Sequence, residues 1–244
     1  MGKLKIVSWN CQNGFNKEKQ DVIVNAYPDA DIFVIQESKR EDVGILKSDF
    51  KYKNWYGDDQ EYSDLGILVF SKTCKIEFTD EFSRKFRYVV PYKVTTAIEK
   101  RKIILIAVWT KPVPVFYDKN IVDAIHWPEY KNITTDNVVI IGDFNTSSND
   151  EHPERYSDLV KNLAGFKNCA LGLPEEAKKT FYSISKKKLY SNDFCFISEK
   201  FNNGIKNMTF KIRDDWEENE YGQKRWKGLS DHCPIVVDFE FLNA

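Results

Sequence analysis

Apolar residues in this chain fall in short runs that stop abruptly at polar clusters. Eight such runs predict strands: Leu4–Trp9, Ile32–Gln36, Leu65–Phe70, Tyr88–Thr95, Ile103–Trp109, Val138–Ile141, Phe194–Ile197 and Ile235–Phe241. They are rich in Val, Ile and Phe, the residues that suit a buried pleated surface. Helical periodicity is rarer. Lys17–Ala26 reads as a helix closed by Tyr27-Pro28, because a residue before proline resists the α region. Tyr117–Ile125 sets Tyr117, Ile121, Ala124 and Ile125 on one face. Pro153–Ala164 begins on a proline and stops just before Gly165, as helices do. Many strands with few helices between them predict two packed sheets with helices outside. No repeat, low-complexity tract or linker divides the chain, so residues 1–244 read as one domain.

Composition supports a buried core: 42% of residues are hydrophobic and 14% aromatic. The 30% that are charged suit a globular surface, and no segment is disordered by composition. The longest apolar run, Ile103–Trp109, is far shorter than the roughly 20 residues of a membrane-spanning helix. Met1–Ile6 enters a strand-like pattern with no signal-peptide apolar stretch, and Ile6 argues against myristoylation, which makes the cytoplasm the default compartment. Cys11, Cys74, Cys169, Cys195 and Cys233 are odd in number, widely spaced and free of any C-x-x-C pair. They read as reduced buried thiols rather than a disulfide framework or a zinc site. The net charge of −1 lacks the basic excess of a strong non-specific DNA binder but is compatible with a local basic cleft.

Chemistry enters where the apolar runs end. The first run leads into Ser8-Trp9-Asn10-Cys11-Gln12-Asn13-Gly14, the second into Gln36-Glu37-Ser38, and a later one into Gly142-Asp143-Phe144-Asn145-Thr146. Ser230-Asp231-His232-Cys233-Pro234 stands just before the last run. Strand ends converge on one rim of a sheet, where side chains sit in a rigid frame. Mg²⁺ takes oxygen ligands, keeps several waters and needs one or two carboxylates. Glu37 suits the primary ligand, with Asn10 and Asp231 beside it. Asp143 suits the group that positions or deprotonates a water attacking a phosphoester. Asn145 suits a donor to a phosphoryl oxygen, where charge develops. His232 suits a second contact to that oxygen. Asp193, in Ser191-Asn192-Asp193-Phe194, suits the partner that fixes its tautomer and favours its charged form.

This ordered set resembles the endonuclease/exonuclease/phosphatase superfamily, which includes DNase I-like nucleases, exonuclease III-like repair enzymes and inositol-phosphate phosphatases. The resemblance rests on Trp9-Asn10, Gln36-Glu37, Gly142-Asp143-Phe144-Asn145, Asn192-Asp193-Phe194 and Ser230-Asp231-His232, with Gly66–Ser71 and Val138–Ile141 as supporting strands. It runs from residue 9 to residue 232. It implies an α/β fold, a DNase I-like four-layer α/β/β/α sandwich of two packed mixed sheets, with Mg²⁺ or Mn²⁺ in a cleft at one end.

Two positions depart from that pattern. Many relatives place a His or Tyr after the central strand, whereas this chain has Trp109, whose indole can only donate a hydrogen bond. Trp109 is expected either to line the cleft or to pack in the core, and a mechanism with a second His as general acid loses support. Gln12 stands where some repair-type members carry an acid, which lowers the support for a second metal. His126 and His152 read as surface or structural residues. Basic-aromatic segments bear on substrate: Gln223–Gly228, Lys178–Tyr182, Lys186–Tyr190 and Arg84–Tyr88. Lys224, Arg225 and Trp226 are expected to line the substrate entrance, because they adjoin Ser-Asp-His.

The leading expectation is a Mg²⁺- or Mn²⁺-dependent phosphoesterase hydrolysing a phosphodiester through an activated water, with nucleic acid slightly ahead as substrate. A small-molecule or lipid-headgroup phosphatase follows on the neutral charge. A catalytically silent binding module is the reading from a different class. Nothing calls for an obligate protein partner.

Overall fold

The computed structural model describes residues 2–57, 64–86, 88–111, 117–149 and 152–242; Arg87 and the side chains of Tyr117, Asp118 and Asn132 lie outside that description. Two six-stranded mixed sheets face each other. In the first the spatial order is β13 (Ile205–Ile212), β16 (Ile235–Phe241), β1 (Lys3–Asn10), β2 (Ile32–Lys39), β4 (Leu65–Ser71) and β3 (Tyr52–Gly57). In the second it is β5 (Lys75–Phe78), β6 (Val89–Thr95), β7 (Lys102–Trp109), β8 (Val138–Asp143), β12 (Asp193–Ser198) and β9 (Phe166–Asn168). Two ribbons, β10 (Phe181–Ser183) with β11 (Lys188–Tyr190) and β14 (Trp216–Glu218) with β15 (Lys224–Trp226), are added beside them.

Strand periodicity explains the layers. Alternate side chains of a strand point to opposite faces, so a strand covered on both faces is apolar throughout. Ile6, Val34, Ile67, Leu105, Ala107, Ile141 and Cys195 fill the space between the sheets. Their neighbours Val7, Phe33 and Leu68 face outward beneath α1 (Lys17–Ala26), whose Ile23 and Val24 cover them. On the other side Ile106, Val108 and Ile140 lie under α3 (Tyr117–His126), α4 (Pro128–Thr134) and α5 (Pro153–Asn162), through Ile121, Tyr130 and Leu159. The result is the expected α/β/β/α sandwich. Two short helices, α2 (Asp42–Ile45) and α6 (Glu199–Asn203), complete the helical set among the described residues. None of these helices is long and apolar enough to cross a membrane. All five cysteines are free and buried.

At the centre of each sheet is a parallel pair, β1 with β2 and β7 with β8. Parallel strands end on the same side, so Asn10, Glu37, Trp109 and Asp143 come to one rim. The antiparallel strand β12 starts there, with Asp193 opposite Asp143. Strand β16 is antiparallel to β1 and also starts there, directly after Asp231 and His232. Gly142 has a φ of 148°, and a Cβ on it would lie 2.0 Å from the Val108 carbonyl oxygen. Only glycine lets β8 pass that close to β7 just before Asp143.

Candidate active site

Backbone irregularity aims the rim residues. Glu37 sits at a register shift between β2 and β4, with a left-handed φ of 58°. Such a bulge re-aims one side chain without ending the strand. Its carboxylate accepts the Asn10 Nδ2 amide at 3.1 Å and the Asn13 backbone N–H at 3.0 Å. The same Asn10 nitrogen donates to Asp143 Oδ2 at 2.9 Å, while Asn10 Oδ1 accepts the Gln12 N–H at 3.0 Å. Asn10 is thus a spacer that holds two carboxylates apart by one amide.

Asp143 is fully buried. Its Oδ1 accepts the Asn145 N–H and its Oδ2 the Asn145 Nδ2, each at 2.9 Å. Asn145 Nδ2 also donates to the Thr110 carbonyl at 3.0 Å. Both of its N–H groups are therefore engaged here, one of them on Asp143, rather than directed to open space as a donor for a phosphoryl oxygen would be. Burial pushes the Asp143 carboxyl up, the His232 charge pulls it down and the Asp193 charge pushes it up again, to about 7.

The expected Asp193–His232 pair is formed. His232 Nδ1 lies 2.9 Å from Asp193 Oδ2, and Nε2 lies 3.9 Å from Asp143 Oδ2. Burial alone would lower the imidazole pKa, but Asp193, Asp143 and Asp231 outweigh it and push it up to about 10. His232 is therefore an imidazolium at neutral pH, with Nδ1 donating to Asp193 and Nε2 directed to the Asp143 side. Its backbone is equally held: Ser230 Oγ accepts the His232 N–H at 3.1 Å, and the Trp9 indole donates to the His232 carbonyl at 3.0 Å.

On the far side of Asn10, the Gln12 Nε2 amide donates to Asp231 Oδ2 at 2.8 Å, and Gln12 Oε1 accepts from the Arg225 guanidinium. A neutral amide so joins an acid to a base. Burial raises the Asp231 pKa, His232 opposes it, Glu37 adds to the rise and Arg225 opposes it, leaving it above the ordinary value. Among the described residues, Asp143, Asp193 and His232 form the single group of three metal-ligand types within 4.8 Å. An imidazolium has no lone pair to give a cation, and its Nδ1 is committed to Asp193. Glu37 and Asp231 offer oxygen donors alone and repel each other, which fits a hard divalent cation better.

Of the three residues expected at the substrate entrance, Arg225 alone reaches the site. Trp226 is fully buried, edge-on to Trp9 at 5.0 Å between centroids. Side chains alternate along β15, so Lys224 projects to the side opposite Arg225, beside Glu218 of β14. Trp226 is thus part of the core. Trp226→Ala is expected to destabilise the fold by about 3–5 kcal/mol in urea titrations, the range for truncating a buried Trp. Trp109 takes the core-packing place of its two expected ones: it is 4% exposed, packs on Tyr88 at 4.8 Å and is covered by Lys111 Nζ at 4.1 Å. His126 and His152 are exposed.

The segment Lys178–Tyr182, expected to bear on substrate, places Thr180 and Phe181 at the site, in positions that sequence reasoning did not assign. Thr180 Oγ1 accepts the Asn192 and Asp193 N–H groups at 3.0 and 3.1 Å, and its carbonyl accepts the Cys233 N–H. Phe181, half-buried, lies over the His232 ring at 4.7 Å and 33°. The one signal for them was the Thr-Phe-Tyr step inside a lysine-rich stretch.

No protein-family profile and no curated protein matches this sequence. Solved structures do. The chain is similar to an endonuclease/exonuclease/phosphatase family protein from Bacteroides thetaiotaomicron, at a TM-score of 0.67 and 16% identity over 99% of each chain. It is similar to the 3'-5' exonuclease of Neisseria meningitidis, at 0.60 and 16% over 98% of this chain and 100% of the other. It is also similar to D. rerio TDP2 solved with a single strand DNA product, at 0.66 and 17% over 98% and 100%. At such identities the likeness establishes the fold, the sandwich of endonuclease/exonuclease/phosphatase structures, in agreement with the resemblance drawn from the motifs.

Proposed function

We propose that this protein is a divalent-metal-dependent phosphodiesterase whose substrate is a nucleic acid strand. The observation that carries the reading is the line Asp193, His232, Asp143, with a charged imidazole between a buried pairing acid and a buried acid poised near neutrality. Glu37 and Asp231 would hold a Mg²⁺ or Mn²⁺ ion, which when bound would supply positive charge to the phosphoryl oxygens. The chain's own residues supply the rest. Asp143, fixed by Asn10 and Asn145, takes the proton of the attacking water as the water oxygen bonds to phosphorus, while the opposite phosphorus–oxygen bond breaks and the leaving oxygen takes a proton from solvent. His232, fixed by Asp193, donates from Nε2 to a phosphoryl oxygen and stabilises the charge that builds there. Asn10 keeps the metal-binding and proton-accepting carboxylates at a set spacing. Phe181 offers a ring on which a sugar or base can rest, Arg225 a fixed cation, and exposed Lys186–Lys188 at the tip of the β10–β11 ribbon further contacts to a phosphate backbone.

The deciding experiment offers labelled single- and double-stranded oligonucleotides beside inositol and sugar phosphates, with Mg²⁺, Mn²⁺ or EDTA, to the native protein and Glu37→Ala. Oligonucleotide cleavage that EDTA abolishes, Mg²⁺ restores and Glu37→Ala lacks is the expected result. Turnover of the small phosphates alone would replace the substrate class, a reading favoured by the net charge of −1. No turnover on any substrate would leave a binding module.

A further inference from the structure

The segment Cys11–Gly14 bends in an unusual way. Gln12, Asn13 and Gly14 all lie at positive φ, 53°, 57° and 103°. Two of these residues carry side chains, for which the left-handed region is uphill, so the bend persists only where its surroundings impose it. Its carbonyls must also find donors, because the segment lies against buried structure.

Lys19 meets both needs. It stands in the first turn of α1, where Asn16 caps the helix by accepting the Lys19 N–H at 3.0 Å. Helical side chains lean toward the N-terminus, so Lys19 reaches back over the preceding segment. The residue is 8% exposed, and its ammonium donates to the carbonyls of Cys11 and Gln12 at 2.5 Å each and of Gly14 at 3.0 Å. Three protons meet three carbonyls of one short bend.

What the bend carries gives this lysine its importance. The Asn13 N–H holds Glu37 Oε2, the Gly14 N–H holds the Glu37 carbonyl at 2.7 Å, and the Gln12 amide holds Asp231 Oδ2. We infer that Lys19 is a positioning residue that locks the Cys11–Gly14 bend and thereby sets Glu37 and Asp231 for a divalent cation. The inference rests on the metal-dependent reading above and deepens it. Lys19 touches neither substrate nor cation; it acts through three backbone carbonyls.

A purely structural lysine would be equally buried, so the test needs a matched control. Gln20, the next residue, is also buried and donates to the carbonyls of Phe15 at 2.9 Å and Asp42 at 3.2 Å, neither of which holds a rim carboxylate. Mn²⁺ affinity is measured by electron paramagnetic resonance on the full chain for the native protein, Lys19→Met, Lys19→Arg and Gln20→Leu, with Tm recorded for each. Lys19→Met and Gln20→Leu are both expected to lower Tm. Only Lys19→Met is expected to weaken Mn²⁺ binding, by about tenfold, the lower end for removing an outer partner of a metal ligand. Lys19→Arg, which keeps the charge and the donors, recovers most of that loss. Should Lys19→Met not fold, Lys19→Gln, with two donors left, weakens binding in the same direction by a smaller factor. Equal weakening in Gln20→Leu, or unchanged affinity in the folded Lys19 variants, overturns the inference while leaving the metal reading intact. A native protein that binds no Mn²⁺ removes the metal reading, and this inference with it.

Discussion

Asp143→Asn is expected to lower kcat by about 10²–10⁴-fold, the range for losing a general base, with KM and Mn²⁺ affinity little changed. The reasoning is positional. Asp143 lies behind Asn10, separated from the proposed cation ligands by that amide, and its carboxylate is held from three sides by N–H donors. With a pKa raised to about 7, chiefly by burial, it changes protonation where the enzyme would work. Activity of the native protein should therefore rise as pH climbs through 7, and in Asp143→Asn that rise should vanish, leaving a small rate flat from pH 5 to 8. The substituted amide brings a second cost. Both carboxylate oxygens face N–H donors, so an Asn nitrogen at either place must meet one of them, and stability falls by about 1–3 kcal/mol, the usual cost of leaving a buried donor unmatched. A variant that keeps its rate and its acid limb would remove Asp143 from the chemistry.

The eight strands legible in the sequence are the eight inner strands of the two sheets; the four edge strands escaped. Inner strands are mostly buried, and each carries a run in which Val, Ile, Leu and Phe predominate or recur. Edge strands β3 and β13 read Tyr-Lys-Asn-Trp-Tyr-Gly and Ile-Lys-Asn-Met-Thr-Phe-Lys-Ile, because polar and charged side chains blunt an exposed edge. Periodicity carries no signal there, and their place is set by neighbours far along the chain.

The rim residues were legible for a related reason. A carboxylate or amide directly after an apolar run must sit at a strand end, and two parallel pairs bring such ends together. What escaped was hydrogen-bond saturation and burial across long sequence separations. Asn145 looks like a free donor until Thr110 and Asp143 take both its N–H groups. Trp226, set among Lys and Arg, looks exposed until β15 folds it onto Trp9, 217 positions earlier in the chain. Lys19 looks like any solvated lysine in a first helical turn, since only the left-handed bend before it creates the carbonyls it serves.

Asp193→Asn carries the second large effect, and pH decides its size. In the native protein the buried His232 keeps its proton up to about 10, because the surrounding acids, Asp193 first, overcome the burial that would lower its pKa. Replacing Asp193 by a neutral amide removes the largest of these charges and leaves burial in place. The imidazole pKa then falls toward or below the ordinary 6.5, and the alkaline limb of the rate profile moves from about 10 toward neutrality. At pH 8 the loss in kcat is expected to be about 10²–10³-fold, the range for losing a charge-stabilising donor. Part of it returns as pH falls toward 6, limited by Asp143 taking up its own proton. Stability follows the same linkage. A folded pKa raised above the unfolded 6.5 contributes stability that is complete below 6.5 and lost as pH rises through 10. The gap in urea stability between native protein and Asp193→Asn should thus be widest near pH 6 and close by pH 10. An alkaline limb that stays near 10 in the variant would mean that Asp193 is not what holds the proton on His232.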